Sequence, residues 1–306
     1  MTIVSDKYMD SGGNRLGWLV SAELPTEDGG SHVEIKASDN DRISIYYHRR
    51  KSNGPHLVRG LIRQKWLDLG GLKGLGYPVT DECDTEDQQG RYNDFQKGSI
   101  YFLKGEPEAF MIRGSIRKKW KDEGGVRRLG YPTTDEKPVA GSAQGCYNDF
   151  KSAKKEEGDH RAIYWHPKVG AHLVRGAIHY EWLMKGGVVG LGYPITDEED
   201  YIGRNGHRGR ISRFQKGVII HYWEGSSTYV VSYEKGQKIV FSIRVSIVVI
   251  LAGIWVASCV YAIITRNFWL LGILLPSGGA ITAVLDYIFR KMGERVIDFL
   301  LSNNAS

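Results

Sequence analysis

The chain has 306 residues, a formal net charge of +6 and 25% charged residues. This length allows one large domain and a further segment, and with so modest a positive charge we expect no nucleic-acid partner. The sequence has no Gly-x-Ser-x-Gly elbow, phosphate-binding loop or dinucleotide-binding fingerprint. We therefore expect no enzymatic activity, and the sequence predicts no catalytic residue, no cofactor and no metal site.

One unit occurs four times along the chain: a short helix, a Gly-Gly pair and then Leu-Gly-aromatic. The weakest copy is Gly12-Gly13 to Leu16-Gly17-Trp18 at the N-terminus. The residues of the three clear copies are Gly71, Leu75, Gly76, Tyr77 and Pro78; Gly125, Leu129, Gly130, Tyr131 and Pro132; and Gly187, Leu191, Gly192, Tyr193 and Pro194. Such a unit cannot bury its own apolar face alone. Equivalent positions in every copy favour binding over a single reaction centre.

Each copy has the same predicted order of elements. The spacing of Ile62 and Trp66 places both side chains on one helix face, and Val4 and Tyr8 have this spacing in the first copy. The Gly-Gly pair ends the helix. A Thr-Asp-Glu turn and an alternating hairpin follow in the three clear copies, and the hairpin of the third copy, at Tyr147, carries a charged insertion. We expect the helix tryptophans, Trp66, Trp120 and Trp182, in the core.

Together these motifs resemble the LGFP repeat family, with Tyr where the family name has Phe, over about residues 1–232. The resemblance implies non-catalytic binding, often to a polysaccharide. It also implies a closed, propeller-like radial array of four units made of short helices and β-hairpins. The predicted units are about 1–55, 56–109, 110–171 and 172–232.

Two groups of basic residues are candidate sites for a glycan or another anionic ligand. Arg59, Arg113 and Arg175 occupy one repeat position, and they line a common face or form salt bridges with the Thr-Asp-Glu carboxylates. Arg204, His207, Arg208 and Arg210 lie in a Gly-rich loop, which is an anion site or a solvated surface loop. The three cysteines have no metal-ligand spacing, and we expect free thiols.

The C-terminal region has the composition of a membrane segment. Residues 245–265 are uncharged and nearly all apolar, which is enough for a helix across roughly 30 Å of hydrocarbon. A second apolar stretch, 267–289, is interrupted at 276–279, so it spans the membrane in a hairpin or re-enters it. A basic linker, 233–244, precedes this predicted transmembrane α-helical hairpin, and an amphipathic tail, 290–306, follows it.

Several membrane residues have predicted roles. Ala252, Gly253 and Ala257 permit close helix contacts. Pro276, Gly278 and Gly279 break the second helix, and Asp286 lies near its far end, where it can pair with a following arginine.

The expected location follows from charge and from the N-terminal sequence. Basic residues flank both outer ends of the hairpin, and no signal peptide is visible. We expect an inner-membrane protein with a cytoplasmic repeat domain, the alternative being an extracytoplasmic one. The predicted function is membrane-anchored ligand recognition, with the lipid bilayer and a glycan or anionic small molecule as partners. The alternative is a ligand-sensing effector that forms homo-oligomers and perturbs the membrane.

Overall fold

The computed structural model describes residues 2–39, 41–153, 160–203 and 206–233. The chain divides into two compact units. One unit is formed by Met1–Leu183 and Tyr193–Asp197, and the other by Met184–Gly192 and Glu198–Ser306.

The helices are short and recur in pairs. The described helices are α1 (Ile3–Asp10), α2 (Gly60–Asp68), α3 (Gly71–Gly74), α4 (Gly114–Asp122), α5 (Gly125–Arg128), α6 (Gly176–Met184) and α7 (Gly187–Gly190). Two 3₁₀ turns, Gly13–Arg15 and Glu224–Ser226, complete the helical structure of the described ranges. The Gly-Gly pair separates each longer helix from a one-turn helix, because both glycines take positive φ, as at Gly70 (+88°) and Gly71 (+55°).

The strands form four antiparallel sheets. The first sheet contains β1 (Trp18–Leu19), β2 (Leu24–Pro25), β3 (Ser31–Lys36), β4 (Arg42–Tyr47) and β5 (His56–Arg59). The second contains β6 (Cys83–Asp84), β7 (Gly90–Phe95), β8 (Gly98–Leu103) and β9 (Ala109–Ile112). The third contains β10 (Tyr131–Pro132), β11 (Lys137–Pro138), β12 (Cys146–Lys151), β13 (Arg161–His166) and β14 (Gly170–Arg175). The fourth contains β15 (Glu199–Ile202), β16 (Arg208–Phe214), β17 (Gly217–Tyr222) and β18 (Thr228–Ser232).

A hairpin forms the centre of every sheet, and in the second, third and fourth sheets it is the one that the alternating pattern predicts. In the second sheet Phe95 pairs with Gly98 at the turn, and Tyr92 pairs with Tyr101 further along. The strand after the hairpin then adds to the sheet, so that the order is β6-β7-β8-β9. In the first and third sheets two short segments pair with the outer side of the hairpin, one of them being the Leu-Gly-aromatic segment.

The core lies where a helix packs between two successive sheets. In the compact unit that contains the first three sheets, α2 contacts β4 and β5 of the first sheet and β8 and β9 of the second. Trp66 is 1% exposed; its ring packs edge-on against Tyr46 and stacks on Phe95. Trp120 of α4 packs in the same way. In the second unit a smaller cluster contains Ile211, Val218, Ile220 and Tyr222.

The predicted fold class was wrong. Instead of a closed, propeller-like array of helices and hairpins, the described residues form a β-rich fold of four antiparallel sheets, none closed into a barrel. The physical reason lies in the segments around each hairpin. The strand before each helix and the stretch assigned to turns both add to the sheet, so the helices are a minority.

The predicted transmembrane hairpin is likewise not part of this fold. Within the described ranges, no helix is long and apolar enough to cross a membrane. The segments 245–265 and 267–289, with the linker before them and the tail after them, lie outside the described residues. The same is true of Ala252, Gly253, Ala257, Pro276, Gly278, Gly279 and Asp286.

Candidate ligand site at the sheet junctions

The Leu-Gly-aromatic segment is held by the aromatic residue of the preceding helix. Trp66 donates its indole N–H to the carbonyl of Gly76 at 3.1 Å, and Trp120 donates to Gly130 at 3.0 Å. In the first copy the Tyr8 hydroxyl donates to Gly17 at 2.8 Å. The weak N-terminal copy therefore has the same local structure as the others.

The glycine of this segment also allows a close approach. Gly130 has φ +81°, and a Cβ on it would lie 1.9 Å from the carbonyl oxygen of Lys151. An L side chain therefore fits neither the backbone conformation nor the space.

The tyrosine of Leu-Gly-Tyr-Pro reaches back to the sheet before it. The hydroxyl of Tyr77 lies 2.8 Å from the Thr26 hydroxyl and donates to the Asp28 carboxylate at 2.5 Å. Tyr131 makes the same contacts with Thr85 and Asp87, at 2.6 Å and 2.5 Å. Burial and then the Asp28 carboxylate raise the pKa of Tyr77 to about 12. The repeat motif does not predict this contact, whose sequence signal is the Thr-Glu-Asp that both turns share.

The aspartates of Thr-Asp-Glu join two neighbouring elements through their two oxygens. One oxygen accepts a backbone N–H from the strand before a helix, from Leu57 to Asp81, Met111 to Asp135 and Leu173 to Asp197 at 2.9, 2.8 and 2.9 Å. The other oxygen accepts a hydrogen bond from a lysine ammonium group on the helix that precedes this strand in the chain. The pairs are Lys7–Asp81, Lys65–Asp135 and Lys119–Asp197, at 2.5, 2.9 and 2.5 Å. These residues therefore have a structural role.

Two of these carboxyl groups have depressed pKa values. Burial alone would raise the pKa of Asp197, but hydrogen bonds from His172, Lys119 and the Leu173 amide lower it to about 2. In Asp81 burial is likewise outweighed by hydrogen bonds from His56, Lys7 and the Leu57 amide, so its pKa lies well below the usual range. Both carboxylates are therefore charged at neutral pH.

The repeated arginines pair with the glutamates of the same motif. Arg59 lies 3.4 Å from Glu82, and Arg113 lies 2.8 Å from Glu136. This is the salt-bridge alternative predicted for these positions. Arg175 ends β14 at the equivalent place.

A groove of about 640 Å³ lies where α2 begins, between the first and second sheets, and we call it the arginine groove. Its lining includes four arginines, Arg42, Arg59, Arg63 and Arg91, with Asp41, Glu82 and the ring of Phe102. Arg42 belongs to β4, and Arg59 ends β5 directly before α2. Arg63 lies in the first turn of α2, and Arg91 belongs to β7. The fold thus brings one predicted arginine together with three that no sequence pattern singled out.

Carboxylates pair with three of the four arginines of the arginine groove. The Glu82 side chain is only 7% exposed and lies between Arg59 and Arg91. Arg91 also lies 3.4 Å from Asp84, and Arg63 pairs with Glu34 at 2.8 Å. Arg42 is exposed and makes no ion pair within the described ranges. Arg42 is therefore the groove arginine whose guanidinium group is open to a ligand.

The equivalent place in the third sheet has a different chemistry. Cys146 stands there at the position of Arg91, directly beside Glu136, so that a thiol replaces a guanidinium group. Burial and the Glu136 carboxylate raise the pKa of the Cys146 thiol to about 12, so it is protonated at neutral pH. Cys83 and Cys146 are both free, as expected. The third sheet therefore has no arginine at the position of Arg91.

The predicted basic loop is largely neutralised by neighbouring acids. Arg210 lies 2.9 Å from Asp200 and 3.6 Å from Glu198. His207 lies 3.4 Å from Glu224, which also accepts the backbone N–H of Arg208. Arg204 lies outside the described residues. Among the described residues no group of three or more His, Cys, Asp or Glu side chains is placed to hold a metal ion.

The fold and the contacts between neighbouring sheets define a protein built from β-rich repeats. Side chains of the recurring motifs join one repeat to the next. The LGFP repeat family model matches residues 75–127 and 129–190, so this part of the chain is similar to LGFP repeats. The first predicted copy lies outside the match, and the last, 172–232, overlaps it only as far as residue 190. No curated protein matches the chain.

Proposed function

We propose that the repeat domain is a non-catalytic recognition module that binds a carboxylate- or phosphate-bearing ligand in the arginine groove. An acidic glycan is the favoured ligand class, because glycan binding is what the resemblance to LGFP repeats implies. The observation that carries the proposal is the cluster of four arginines around one groove of about 640 Å³.

Arginine suits this task because its planar guanidinium group binds a carboxylate or phosphate through two parallel hydrogen bonds. Glu82 orients Arg59 and Arg91 by pairing with both. Within the described ranges Arg42 carries no such pair. An anion between Arg42 and Arg59 would thus give Arg42 the partner that the carboxylates of those ranges do not supply.

The backbone adds a second source of positive potential. No side chain caps the N-terminus of α2, whereas Thr2 caps α1. Unpaired N–H groups at a helix start attract negative charge. Leu61, Ile62 and Arg63, the residues of this first turn, line the groove. The helix start and the arginines therefore act on the same volume.

The test is calorimetric titration of the full chain with a tetramer of galacturonic acid, and with its neutral galactose counterpart. We expect binding of the acidic tetramer alone, and about tenfold weaker binding in Arg42→Gln and Arg59→Gln, since a hydrogen bond to a charged group contributes about 1.5–3 kcal/mol. Arg113→Gln is the matched control, because it removes the equivalent arginine beyond the groove. Equal loss in all three variants would contradict the proposal, as would equal binding of both tetramers.

A further inference from the structure

A second cavity, of about 290 Å³, lies where α4 meets the second sheet, and we call it the tyrosine pocket. Three aromatic rings line it, those of Tyr92, Tyr101 and Trp120. The charged groups of Glu86 and Lys121 also belong to its lining. No described residue lines both this cavity and the arginine groove.

The tyrosine pocket and the arginine groove lie on opposite faces of the β7–β8 hairpin. Tyr92 pairs with Tyr101 across the hairpin, and the next pair, Arg91 and Phe102, lines the arginine groove. Neighbouring residues of a strand point to opposite faces of a sheet. The tyrosine pocket is therefore a separate site, and a ligand bound there does not depend on the arginines.

The aromatic rings form a fixed wall. Tyr92 stacks on Tyr101 with ring centroids 5.3 Å apart, and Tyr101 packs edge-on against Trp120 at 4.8 Å. Tyr101 and Trp120 are 5% and 3% exposed, whereas Tyr92 is half-buried. The adjoining Gly124 and Gly125 add no side chain, and a Cβ on Gly125 would lie 3.4 Å from the Trp120 ring. Tyr92 is thus the accessible ring of the wall, and the buried rings hold it in place.

The two charged groups of the tyrosine pocket cancel each other in charge, and each has a partner outside the lining. Glu86 lies 3.1 Å from Arg127, and Lys121 lies 3.5 Å from Asp94. A carboxylate has two acceptor oxygens and an ammonium group has three donors, so both can bind hydroxyl groups in addition. An aromatic wall with a donor and an acceptor suits a neutral ligand that carries hydroxyls around an apolar face.

This combination of groups is found in one of the three copies that carry a helix tryptophan. In the first copy the glutamate recurs as Glu27, but Leu67 replaces the lysine. In the third copy Ala140 and Leu183 replace both charged residues. Neither charge is therefore needed for the fold of a repeat, which favours a binding role of the second copy alone.

We propose that the tyrosine pocket binds one neutral hexopyranose ring, with a C–H face of the sugar against Tyr92 and hydroxyl groups at Glu86 and Lys121. The cavity volume is close to the lower limit of roughly 300 Å³ for small-molecule sites, as a single sugar ring requires. A ring that lies flat on Tyr92 reaches the two charged groups through hydroxyls in its own plane. Glucose has all its ring hydroxyls in this plane, whereas galactose has one axial hydroxyl.

Ligand-observed NMR on the full chain, titrated with methyl β-glucoside, tests the proposal. We expect saturable binding with a dissociation constant on the order of 1 mM, because one ring offers few atoms for contact. Methyl β-galactoside should show no measurable binding. Tyr92→Leu should weaken glucoside binding about three- to tenfold, since it removes the aromatic face but keeps an apolar side chain. Lys121→Met should weaken it about tenfold. Absence of saturable binding, or equal binding of the two glycosides, overturns the proposal.

Matched controls separate binding from folding. Lys118→Met removes a 78% exposed lysine from the same helix, and Tyr147→Leu removes the tyrosine that stacks on Tyr164 in the third sheet at 5.1 Å. Both should leave glucoside binding unchanged, as should Arg42→Gln in the arginine groove. A loss in Tyr147→Leu equal to that in Tyr92→Leu would show a general effect on folding. A loss in Arg42→Gln would place the sugar in the arginine groove, and either result contradicts the proposal.

Discussion

Lys65 on α2 donates to Asp135, 70 residues further along the chain, at 2.9 Å. The same carboxylate accepts the backbone N–H of Met111 at 2.8 Å through its other oxygen. One side chain thus joins a helix, a strand of the second sheet and the turn that leads into the third. Because the aspartates at 81 and 197 bind in the same way, this contact is a repeated structural element of the fold.

Asp135→Ala should therefore destabilise the protein. The substitution leaves the Met111 N–H and the Lys65 ammonium without their acceptor, a loss of about 1–3 kcal/mol in the free energy of unfolding. Urea denaturation followed by circular dichroism measures it. Asp68→Ala is the control, because within the described ranges Asp68 accepts one exposed hydrogen bond, from Gln64. Similar losses in both variants would show that the junction contact has no special weight.

Acid should destabilise the fold between about pH 4 and pH 2. The pKa of Asp197 falls from an ordinary value of 3.8 to about 2, and that of Asp81 is also lowered. A depressed carboxyl pKa stabilises the folded state fully above pH 3.8 and loses this effect as the pH falls through the folded value. Urea denaturation at stepped pH checks this.

Asp197→Asn should flatten the acid dependence, because the amide does not titrate. The substitution should also lower the pKa of His172, which its hydrogen bond to Asp197 raises, and proton NMR can follow this shift. Asp39→Asn, at a residue whose side chain is 93% exposed, serves as control. An acid transition in Asp197→Asn as steep as in the parent chain would contradict the assignment.

The local structure could be predicted from sequence more fully than the set of strands that forms each sheet. The spacing of Ile62 and Trp66 gave the buried face of α2, and Gly98 gave the hairpin turn, since both depend on short-range periodicity. Sheet composition depended on longer pairings. Tyr131 and Pro132 pair with Lys151 and Phe150, respectively, a pairing that the motif does not predict.

The candidate site was predicted only in part for the same reason. Arg59 stood out because it recurs at one repeat position. Arg91 has a counterpart in the fourth sheet, Arg210, but nothing in the motif places Arg91 or Arg42 beside Arg59, and the fold alone brings them together. The exposure of Trp18 was also beyond prediction, because the motif gives the residue type but not its surroundings in the fold.

Tyr77→Phe should destabilise the protein by about 1–2 kcal/mol, since it leaves Thr26 and Asp28 without a buried partner. Tyr131→Phe should cost a similar amount, because Thr85 and Asp87 make the same contacts. Thermal unfolding measures both changes. Tyr180→Phe, at a residue that is 60% exposed, should leave the midpoint unchanged. No loss in the first two variants would show that the hydroxyl contacts add nothing to the packing of the rings.

The third sheet lacks an ion pair that the first two possess. Arg63 pairs with Glu34 in the first sheet, and Arg117 pairs with Asp94 in the second at 3.0 Å. Each arginine also donates to a serine hydroxyl, Ser44 or Ser99. In the third sheet His179, Asp149 and Ala162 occupy these places. Burial lowers the pKa of His179 to about 4 and raises that of Asp149.

Restoring the pair should stabilise the fold. We expect His179→Arg combined with Ala162→Ser to raise the free energy of unfolding by about 1 kcal/mol at pH 7, because the guanidinium group gains a carboxylate and a hydroxyl. Ala162→Ser alone should be neutral or destabilising, since its buried hydroxyl has no arginine to bind. Urea denaturation of the three chains measures this difference.

The same double variant should change the pH dependence of stability. With a folded pKa of about 4 against an ordinary 6.5, His179 takes up a proton more readily in the unfolded chain. Stability of the parent chain should therefore fall as the pH decreases from about 6.5 to 4, and this slope should become shallower in the variant. The acid transition of Asp197 lies below this window, so the two effects separate. An unchanged slope between pH 6.5 and 4 would show that His179 does not cause it.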